Sequence, residues 1–388
     1  MDRPSFLCSD MARLEKTPPI HRDNGRQCEV EFRRRYRGTA IGTLQGKPGT
    51  WKCYPRAIPN SEAIGELGHI AYSLLTLDAD AVAAALPYDQ LIQALATAFG
   101  GSIEVPPRAH HEVPVPQGNA GTLLLMPAWQ PGGSMGVKIA TVFPDNAAHG
   151  YPAVFASYVL MSAETGVPVA VFDGTEITLR RTAAASALAS SFLSRSDATK
   201  LLMVGTGNMA PHLIAAHCSL RPISDVCIWG RRDEAAEKLA ATLATASFNV
   251  TVTGNLEQAV SAADIISCAT LASEPLIKGE WLVDGQHLDL VGAFKPDMRE
   301  ADSNAVSRAA VYVDTLAGAL SEAGDIVQAI ADGSITESDI RGELRDLVSG
   351  ASTGRSGEEV ITLFKSVGTA VEDLAAAELA LRNHLQDA

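Results

Sequence analysis

A regular alternation of short apolar segments and helical segments in residues 196–339 constrains the fold of this chain more than any other feature. The apolar segments are four to six residues long, which is typical of strands buried on both faces of a sheet. They are Lys200–Val204, Asp225–Trp229, Val250–Thr253, Asp264–Ala269, Gln286–Val291 and Ala310–Asp314. Strands that alternate with helices predict an α/β fold with a Rossmann-type, doubly wound parallel sheet.

The segments on either side of this alternation have a different pattern. Residues 71–195 contain five predicted strands between helical stretches, and a last helix is predicted over Glu372–His384. We predict that residues 71–195 and 340–388 form one discontinuous α+β domain. Residues 1–70 show Gly and Pro breaks and no sustained period, so we expect a poorly ordered extension or a segment outside the functional protein.

Composition excludes several classes of protein. The chain has 388 residues and a net charge of −14, which argues against a nucleic-acid partner. It has no run of about 18 apolar residues for a membrane span and no signal peptide at its start. The six cysteines are scattered without CxxC pairs, so we expect reduced thiols, a cytoplasmic location and no metal site.

A glycine-rich turn follows the first apolar strand of the alternating region. Gly205, Gly207 and Ala210 occupy the three positions of a GxGxxA motif, with a strand before it and a helix after it. In this setting the glycines permit a tight turn and a close approach of the backbone to a pyrophosphate. Further contacts are expected where later strands end. The predicted cofactor-binding residues are Gly205, Thr206, Gly207, Asn208, Met209, Ala210, Ala269, Thr270, Val291 and Gly292.

The end of the second strand distinguishes between the two nicotinamide coenzymes. An enzyme that uses NADH commonly carries an acidic residue there to bind the ribose 2′-hydroxyl. Here the strand ends in Trp229 and Gly230, and Arg231 and Arg232 follow. Two guanidinium groups match a 2′-phosphate in charge and geometry. We therefore predict NADPH as the cofactor, with NADH as the less favoured alternative.

Several longer motifs occur in a fixed order along the chain. They include GVKIATVFPDN (Gly136–Asn146), FDGTEITLRRTAAASALA (Phe172–Ala189), HLDLVGAFKPDMRE (His287–Glu300) and LFKSVGTAVEDLAAA (Leu363–Ala377). In these motifs the sequence resembles the ornithine cyclodeaminase/mu-crystallin family from about Leu74 onward. The resemblance implies a homodimer built through the discontinuous domain, and a nicotinamide cofactor that faces a small amino or imino acid.

The sequence departs from the cyclodeaminases of this family at two positions. Phe294 stands where cyclodeaminases have an aspartate, and Leu124 stands where they have a glutamate. Without these carboxylates, acid–base chemistry on the two amines of ornithine is disfavoured. The motifs are most similar to those of bacterial Δ1-pyrroline-2-carboxylate reductases, which implies NADPH-dependent reduction of a small cyclic imino acid.

The resemblance also implies the substrate-binding residues. Arg108, Lys138 and Arg181 correspond to the family's substrate cations, and Thr182 is assigned to the cofactor. Lys138 lies within an otherwise apolar strand, where an unpaired ammonium is costly, so we predict a pocket role over a structural salt bridge. Arg181 is predicted to open a helix, where an anion would stabilise it. Lys138 is the predicted catalytic residue, with Asp297 as a second candidate and Glu300 beside it.

Three other functions stay open at this point. They are an ornithine cyclodeaminase, an amino acid dehydrogenase that acts on a substrate such as alanine, and a crystallin-like protein that binds NADPH and a small ligand without turnover. The presence of both Lys138 and Arg181 argues against the third.

Overall fold

A computed structural model describes residues 27–33, 39–45, 52–55 and 74–387. The chain forms two compact units, Met1–Ser73 and Leu74–Ala388. No helix in these described ranges is both long enough and apolar enough to cross a lipid bilayer.

The described part of the first unit is a three-stranded antiparallel sheet. Its strands are β1 (Gln27–Arg33), β2 (Thr39–Gln45) and β3 (Lys52–Pro55), with β2 in the middle. The expectation of no strand period in residues 1–70 is therefore wrong for these three segments. In β1, QCEVEFR, apolar and charged residues alternate, as in a strand with one buried face. The rest of that expectation concerns residues outside the described ranges.

The second unit begins with a six-stranded mixed sheet in the order β4-β9-β8-β7-β6-β5. The strands are β4 (Leu75–Leu77), β5 (Ala109–Val113), β6 (Gly121–Trp129), β7 (Ser134–Val142), β8 (Val154–Ser162) and β9 (Pro168–Asp173). All pairs are antiparallel except β4 with β9.

A second sheet holds eight strands, all parallel, in the order β12-β11-β10-β13-β14-β17-β15-β16. Its strands are β10 (Lys200–Val204), β11 (Asp225–Trp229), β12 (Asn249–Val252), β13 (Ile265–Cys268), β14 (His287–Leu290), β15 (Ala310–Val313), β16 (Ile340–Glu343) and β17 (Thr362–Lys365). The strand order reverses direction at β10, as in a doubly wound sheet.

Eleven helices are described within the second unit. They are α1 (Ala79–Ala85), α2 (Tyr88–Phe99), α3 (Gly174–Leu193), α4 (Met209–Leu220), α5 (Asp233–Thr242), α6 (Leu256–Ala262), α7 (Ser303–Arg308), α8 (Leu316–Glu322), α9 (Gly324–Ala331), α10 (Leu344–Ser349) and α11 (Ala370–Asp387). Helices α3 and α11 pack on one face of the six-stranded sheet, and α3 also contacts α4 and the eight-stranded sheet.

Alternate residues of the parallel strands enter two different cores. Leu201 and Met203 join the core shared with α3, α4 and α11, whereas Leu202 and Val204 join the core on the opposite face. Both faces of the sheet are therefore covered, which explains why its strands are almost continuously apolar. The predicted Rossmann-type fold class is confirmed.

The tail of the chain corrects the predicted domain boundary. We expected all of residues 340–388 in the first domain, but β16 and β17 pair within the eight-stranded parallel sheet. Strand β17 is inserted between β14 and β15, which satisfies the backbone groups of both. Within the tail, α11 is the element that packs against the six-stranded sheet.

Candidate active site

The carboxyl ends of the parallel strands form one edge of the eight-stranded sheet. Gly205, Gly230, Ala269 and Val291 each follow directly after β10, β11, β13 and β14. The register places the last residues of these strands side by side, with Val204 opposite both Trp229 and Cys268. The sequence motifs predicted as cofactor contacts therefore lie at a common edge, where open α/β sheets bind their ligands.

The glycine-rich turn fits a dinucleotide. Gly205 has φ 120°, and a Cβ there would lie 2.5 Å from the carbonyl oxygen of Ala269, so only glycine fits. A Cβ on Gly207 would meet no atom within 4 Å, which leaves room above the turn. Helix α4 begins at Met209, and Asn208 provides no side-chain cap. The Ala210 N–H donates to the Gly207 carbonyl oxygen, whereas the Met209 N–H donates to no described residue and is available to a phosphate oxygen.

The end of β11 carries the two predicted arginines. A Cβ on Gly230 would lie 2.7 Å from Thr206 Cγ2, so this glycine lets the ends of β10 and β11 approach each other. Arg231 and Arg232 follow at once and are exposed. In the described ranges neither forms an ion pair. Both guanidinium groups are therefore available to an anion.

A cavity of about 610 Å³ lies further along the same edge. From the eight-stranded sheet it is lined by residues that follow β15 and β17, among them Asp314, Thr315, Gly368 and Thr369. On the opposite side it is lined by Phe99 of α2, by Arg108 just before β5, by His110 of β5 and by Met126 of β6. Strand β17 pairs with β14, so the cavity lies one strand further along the edge than the end of β14, and none of the predicted cofactor contacts lines it.

Arg108 is the predicted substrate cation that lines this cavity. Its Nη2 donates a 2.6 Å hydrogen bond to the carbonyl oxygen of Gly368, and its Nη1 lies 3.3 Å from Glu322 Oε2. Glu322 ends α8 and also lines the cavity. Both partners are about one-fifth exposed, so a ligand carboxylate can compete with Glu322 for the guanidinium.

The other two predicted cations are buried directly behind the cavity wall. Lys138 Nζ lies 2.8 Å from Asp373 Oδ2, and Arg181 Nε lies 3.0 Å from Asp373 Oδ1. Arg181 Nη1 also pairs with Glu372. A side chain at Gly368 would collide with the Arg181 guanidinium. Lys138 is the cross-strand neighbour of Met126, another lining residue.

Burial shifts the pKa values of this cluster. It lowers the pKa of Lys138 to about 8, assisted by the positive charge of Arg181. It raises the pKa of Glu372 to about 7, although Arg181 opposes that rise. For Asp373 the two cations outweigh burial and keep its pKa below the usual value. Near neutral pH, partial protonation of Glu372 therefore leaves the cluster with positive charge behind the cavity.

The surroundings of Lys138 and Arg181 differ from those expected from the sequence. Lys138 is not an unpaired ammonium, because Asp373 neutralises it. Arg181 does not open a helix, since α3 begins at Gly174 and Asp173 caps it by accepting a bond from the Glu176 N–H. The sequence analysis missed Glu372 and Asp373. Two adjacent carboxylates in an otherwise apolar helix could have indicated them, because buried carboxylates require cations.

The remaining predicted residues lie in different surroundings. Asp297 is exposed and does not line the cavity, so its catalytic role stays a prediction. Thr182 is half-buried in α3. Glu300 is fully buried and accepts bonds from Thr270 and Gly292. Phe294, at the position of the cyclodeaminase aspartate, is 41% exposed.

Residues of the second unit match a known protein family. The profile of the ornithine cyclodeaminase/mu-crystallin family matches residues 76–387. The chain belongs to this family. The resemblance predicted from the motifs is confirmed, and the family match covers nearly the whole second unit.

Individual members of the family are similar over most of their length. A Δ1-pyrroline-2-carboxylate reductase of Colwellia psychrerythraea is 39% identical over 307 residues, which are 78% of this chain and 96% of the relative. The Δ1-pyrroline-2-carboxylate reductase of Thermococcus litoralis, solved with NADH and L-proline, is 33% identical with a TM-score of 0.76 over 81% of this chain and 98% of its own. An archaeal alanine dehydrogenase dimer with bound NAD is 30% identical with a TM-score of 0.75, over 81% and 97%.

Proposed function

We propose that this protein is an NADPH-dependent reductase of small cyclic imino acids, which converts Δ1-pyrroline-2-carboxylate to L-proline. The six-membered homologue, Δ1-piperideine-2-carboxylate, is the second substrate, and L-pipecolate is its product. One observation carries the proposal: an arginine-lined cavity, backed by two buried cations, lies at the same strand-end edge of a Rossmann-type sheet as the predicted dinucleotide site.

The cofactor is held along the edge from β10 to β14. The turn at Gly205 and Gly207 and the start of α4 bind the pyrophosphate. Arg231 and Arg232 bind the 2′-phosphate, which favours NADPH over NADH. The loops after β13 and β14, one strand away from the residues after β17 that line the cavity, hold the nicotinamide end. When bound, the reduced nicotinamide supplies a hydride to the imine carbon.

Three cations act on the substrate carboxylate, one by direct contact and two through their charge. Arg108 exchanges its contact with Glu322 for the carboxylate inside the cavity. Lys138 and Arg181 act from behind the wall, where low exposure strengthens their field. This orients the ring so that its C=N carbon faces the β14 side of the cavity, and orientation of this kind accounts for much of an enzyme's rate.

The imine nitrogen takes up one proton during reduction. Water in the cavity is the proton donor, and Lys138, which is buried behind the wall, acts on the substrate carboxylate through its positive charge. This reaction does not require the two carboxylates that cyclodeaminases use. With Phe294 and Leu124 in place of the cyclodeaminase acids, reduction fits this chain better than deaminating cyclisation.

An assay of reduced-coenzyme oxidation tests the proposal. Purified protein is given NADPH or NADH with each cyclic imine, and separately pyruvate with ammonia. We expect turnover with the imines, greater kcat/KM with NADPH, and none with pyruvate and ammonia. Replacing Arg231 and Arg232 by Ser should abolish the NADPH preference while leaving NADH kinetics intact. Turnover of pyruvate and ammonia alone would indicate an amino acid dehydrogenase, and inactivity with all substrates despite NADPH binding would indicate a non-catalytic binding protein.

A further inference from the structure

The carboxylate of Glu300 connects the ends of two neighbouring strands. Its Oε1 accepts hydrogen bonds from the Thr270 N–H at 2.6 Å and from Thr270 Oγ1 at 2.9 Å. Its Oε2 accepts from the Gly292 N–H at 2.7 Å, with Ala293 N more distant at 3.4 Å. Thr270 follows β13 and Gly292 follows β14, so a single side chain fixes both loops.

Between the ends of the strands and the Arg299 N–H, which donates to the Ala272 carbonyl oxygen, these loops are joined mainly through Glu300. The strand pairing of β13 and β14 ends at Cys268 and Leu290, and one further backbone bond joins Val291 N to Cys268 O. Beyond it, Gly292 approaches Thr270 so closely that a Cβ would collide with the Thr270 carbonyl oxygen and with Glu300. The carboxylate thus replaces the missing sheet hydrogen bonds at the point where the chains separate.

A second buried carboxylate and a buried ammonium lie behind Glu300. Asp325 Oδ1 accepts bonds from the Glu300 N–H at 2.7 Å and the Ala301 N–H at 2.9 Å. Asp325 Oδ2 lies 3.1 Å from Lys365 Nζ. All three side chains are fully buried, and none lines the cavity. One cation therefore faces two carboxylates, which leaves the group one positive charge short.

The surroundings of Glu300 set its protonation near neutral pH. Burial raises the pKa of Glu300 to about 7; Lys365 on β17 opposes the rise, and Asp325 on α9 adds to it. The third titratable neighbour is Cys268 on β13, whose thiol stays neutral because burial raises its pKa well above the usual value. Glu300 thus gains a proton as the pH falls below about 7.

We propose that Glu300 is a positioning residue: as a carboxylate it holds the loops after β13 and β14 in the shape that binds the nicotinamide half of the coenzyme. Protonation removes this shape, because a carboxyl group carrying a proton cannot accept from N–H groups through both oxygens at full strength. Coenzyme affinity therefore falls as the pH drops through the titration of Glu300. The inference rests on the proposed dinucleotide site.

Calorimetric titration with NADH and with NADPH from pH 6 to pH 8.5 tests this inference. NADH is the decisive probe, because the extra phosphate of NADPH itself titrates near pH 6. We expect the Kd for NADH to be up to about tenfold higher at pH 6 than at pH 8, the limit for one linked proton on a group whose pKa is about 7. Glu300→Gln should show the weaker, acid-like Kd at every pH. Asp325→Asn should move the midpoint to lower pH, because it removes a charge that raises the Glu300 pKa.

The outcomes separate this inference from the proposed function. A Kd for NADH that is constant from pH 6 to pH 8.5 in the natural protein would overturn the role of Glu300, and so would an unchanged pH profile in Glu300→Gln. An unchanged midpoint in Asp325→Asn would contradict it as well. A merely structural role would lower the melting temperature of Glu300→Gln but leave the pH profile of NADH affinity as it was. If neither coenzyme binds at any pH, the dinucleotide site itself is refuted.

Discussion

Lys138 and Arg181 share the carboxylates of Glu372 and Asp373 across three elements, β7, α3 and α11. Removing one member of a buried ion pair costs about 3–5 kcal/mol, because the partner is left charged and without compensation. The cluster therefore joins α11 to β7 and α3, and at the same time it determines the charge behind the cavity. Its protonation couples to any anion that enters the cavity.

This coupling predicts how ligand affinity depends on pH. Glu372, with its pKa raised to about 7, loses its negative charge as the pH falls, so an anionic ligand in the cavity binds more tightly at pH 6 than at pH 8. A charge change worth about 1 kcal/mol gives about a fivefold difference in Kd. Calorimetry with L-proline should show this trend in the natural protein and a weaker pH dependence in Glu372→Gln, in which Lys138 is the remaining group of the cluster that titrates in this range.

The matched control for Glu372 is Glu257→Gln, which removes an exposed carboxylate from α6. It should keep the pH trend of the natural protein. Equal pH trends in Glu372→Gln and Glu257→Gln would show that the cluster does not act on the cavity. The sign is opposite to that expected for coenzyme affinity, so the two titrations are distinguishable.

At this scale the sequence predicts chemical types better than partners. Gly205, Gly207 and Ala210 could be assigned because a turn between a strand and a helix admits few residues at these positions. The partner of Lys138 could not, because Asp373 lies 235 residues away and only the folded chain brings the two together. Likewise, no sequence pattern predicts that Asp297 is exposed whereas Glu300, three residues later, is buried.

At the scale of elements, the turn between β10 and α4 joins fold and function. Gly205 is required by the fold, since it has φ 120° and no room for a Cβ beside Ala269. A Cβ on Gly207, by contrast, would meet no described atom within 4 Å. Two glycines of one motif therefore have separable roles.

Alanine substitutions test this separation. Gly207→Ala should leave the melting temperature unchanged and weaken coenzyme binding at least tenfold, because the added methyl occupies space expected for the pyrophosphate. Gly205→Ala should also destabilise the fold, by about 1–3 kcal/mol for a non-glycine residue in a strained conformation. Scanning calorimetry and coenzyme titration measure the two effects. Normal coenzyme affinity in Gly207→Ala would contradict this position of the cofactor.

The order of elements was predictable from apolar periodicity, whereas their partners in the sheet were not always. Strands β10 to β14 follow the alternation of strand and helix, which determines a doubly wound order. Strand β17 is a four-residue segment near the end of the chain, and its position between β14 and β15 depends on long-range pairing. Such a segment has no local signal that tells one sheet from another.

At the scale of the whole molecule, the six-stranded sheet has an apolar face that the helices leave uncovered. Helix-facing residues such as Lys138 and Tyr158 alternate with Ile139 and Phe155, which are 38% and 46% exposed. Leu125 pairs with Ile139 on this face. This face is the expected interface of the homodimer predicted from the sequence.

Charge substitution on the exposed face tests the dimer. Ile139→Asp combined with Phe155→Asp should give a monomer in analytical ultracentrifugation, because two buried carboxylates without partners oppose association. Val283→Asp, at a 48% exposed site before β14, is the control and should leave the natural protein's dimer intact. A natural protein that sediments as a monomer, or a double variant that stays dimeric, would exclude this interface.

We propose that hydride from reduced nicotinamide reaches the imine carbon of a small cyclic imino acid in the cavity. The most direct measurement uses NADPH that carries deuterium in place of the C4 hydrogen that is transferred. Δ1-Pyrroline-2-carboxylate is the substrate, and the product is analysed by mass spectrometry. The account predicts L-proline that carries one deuterium, bonded to the α-carbon. L-proline formed without the label, or no L-proline from protein that binds NADPH, would contradict it.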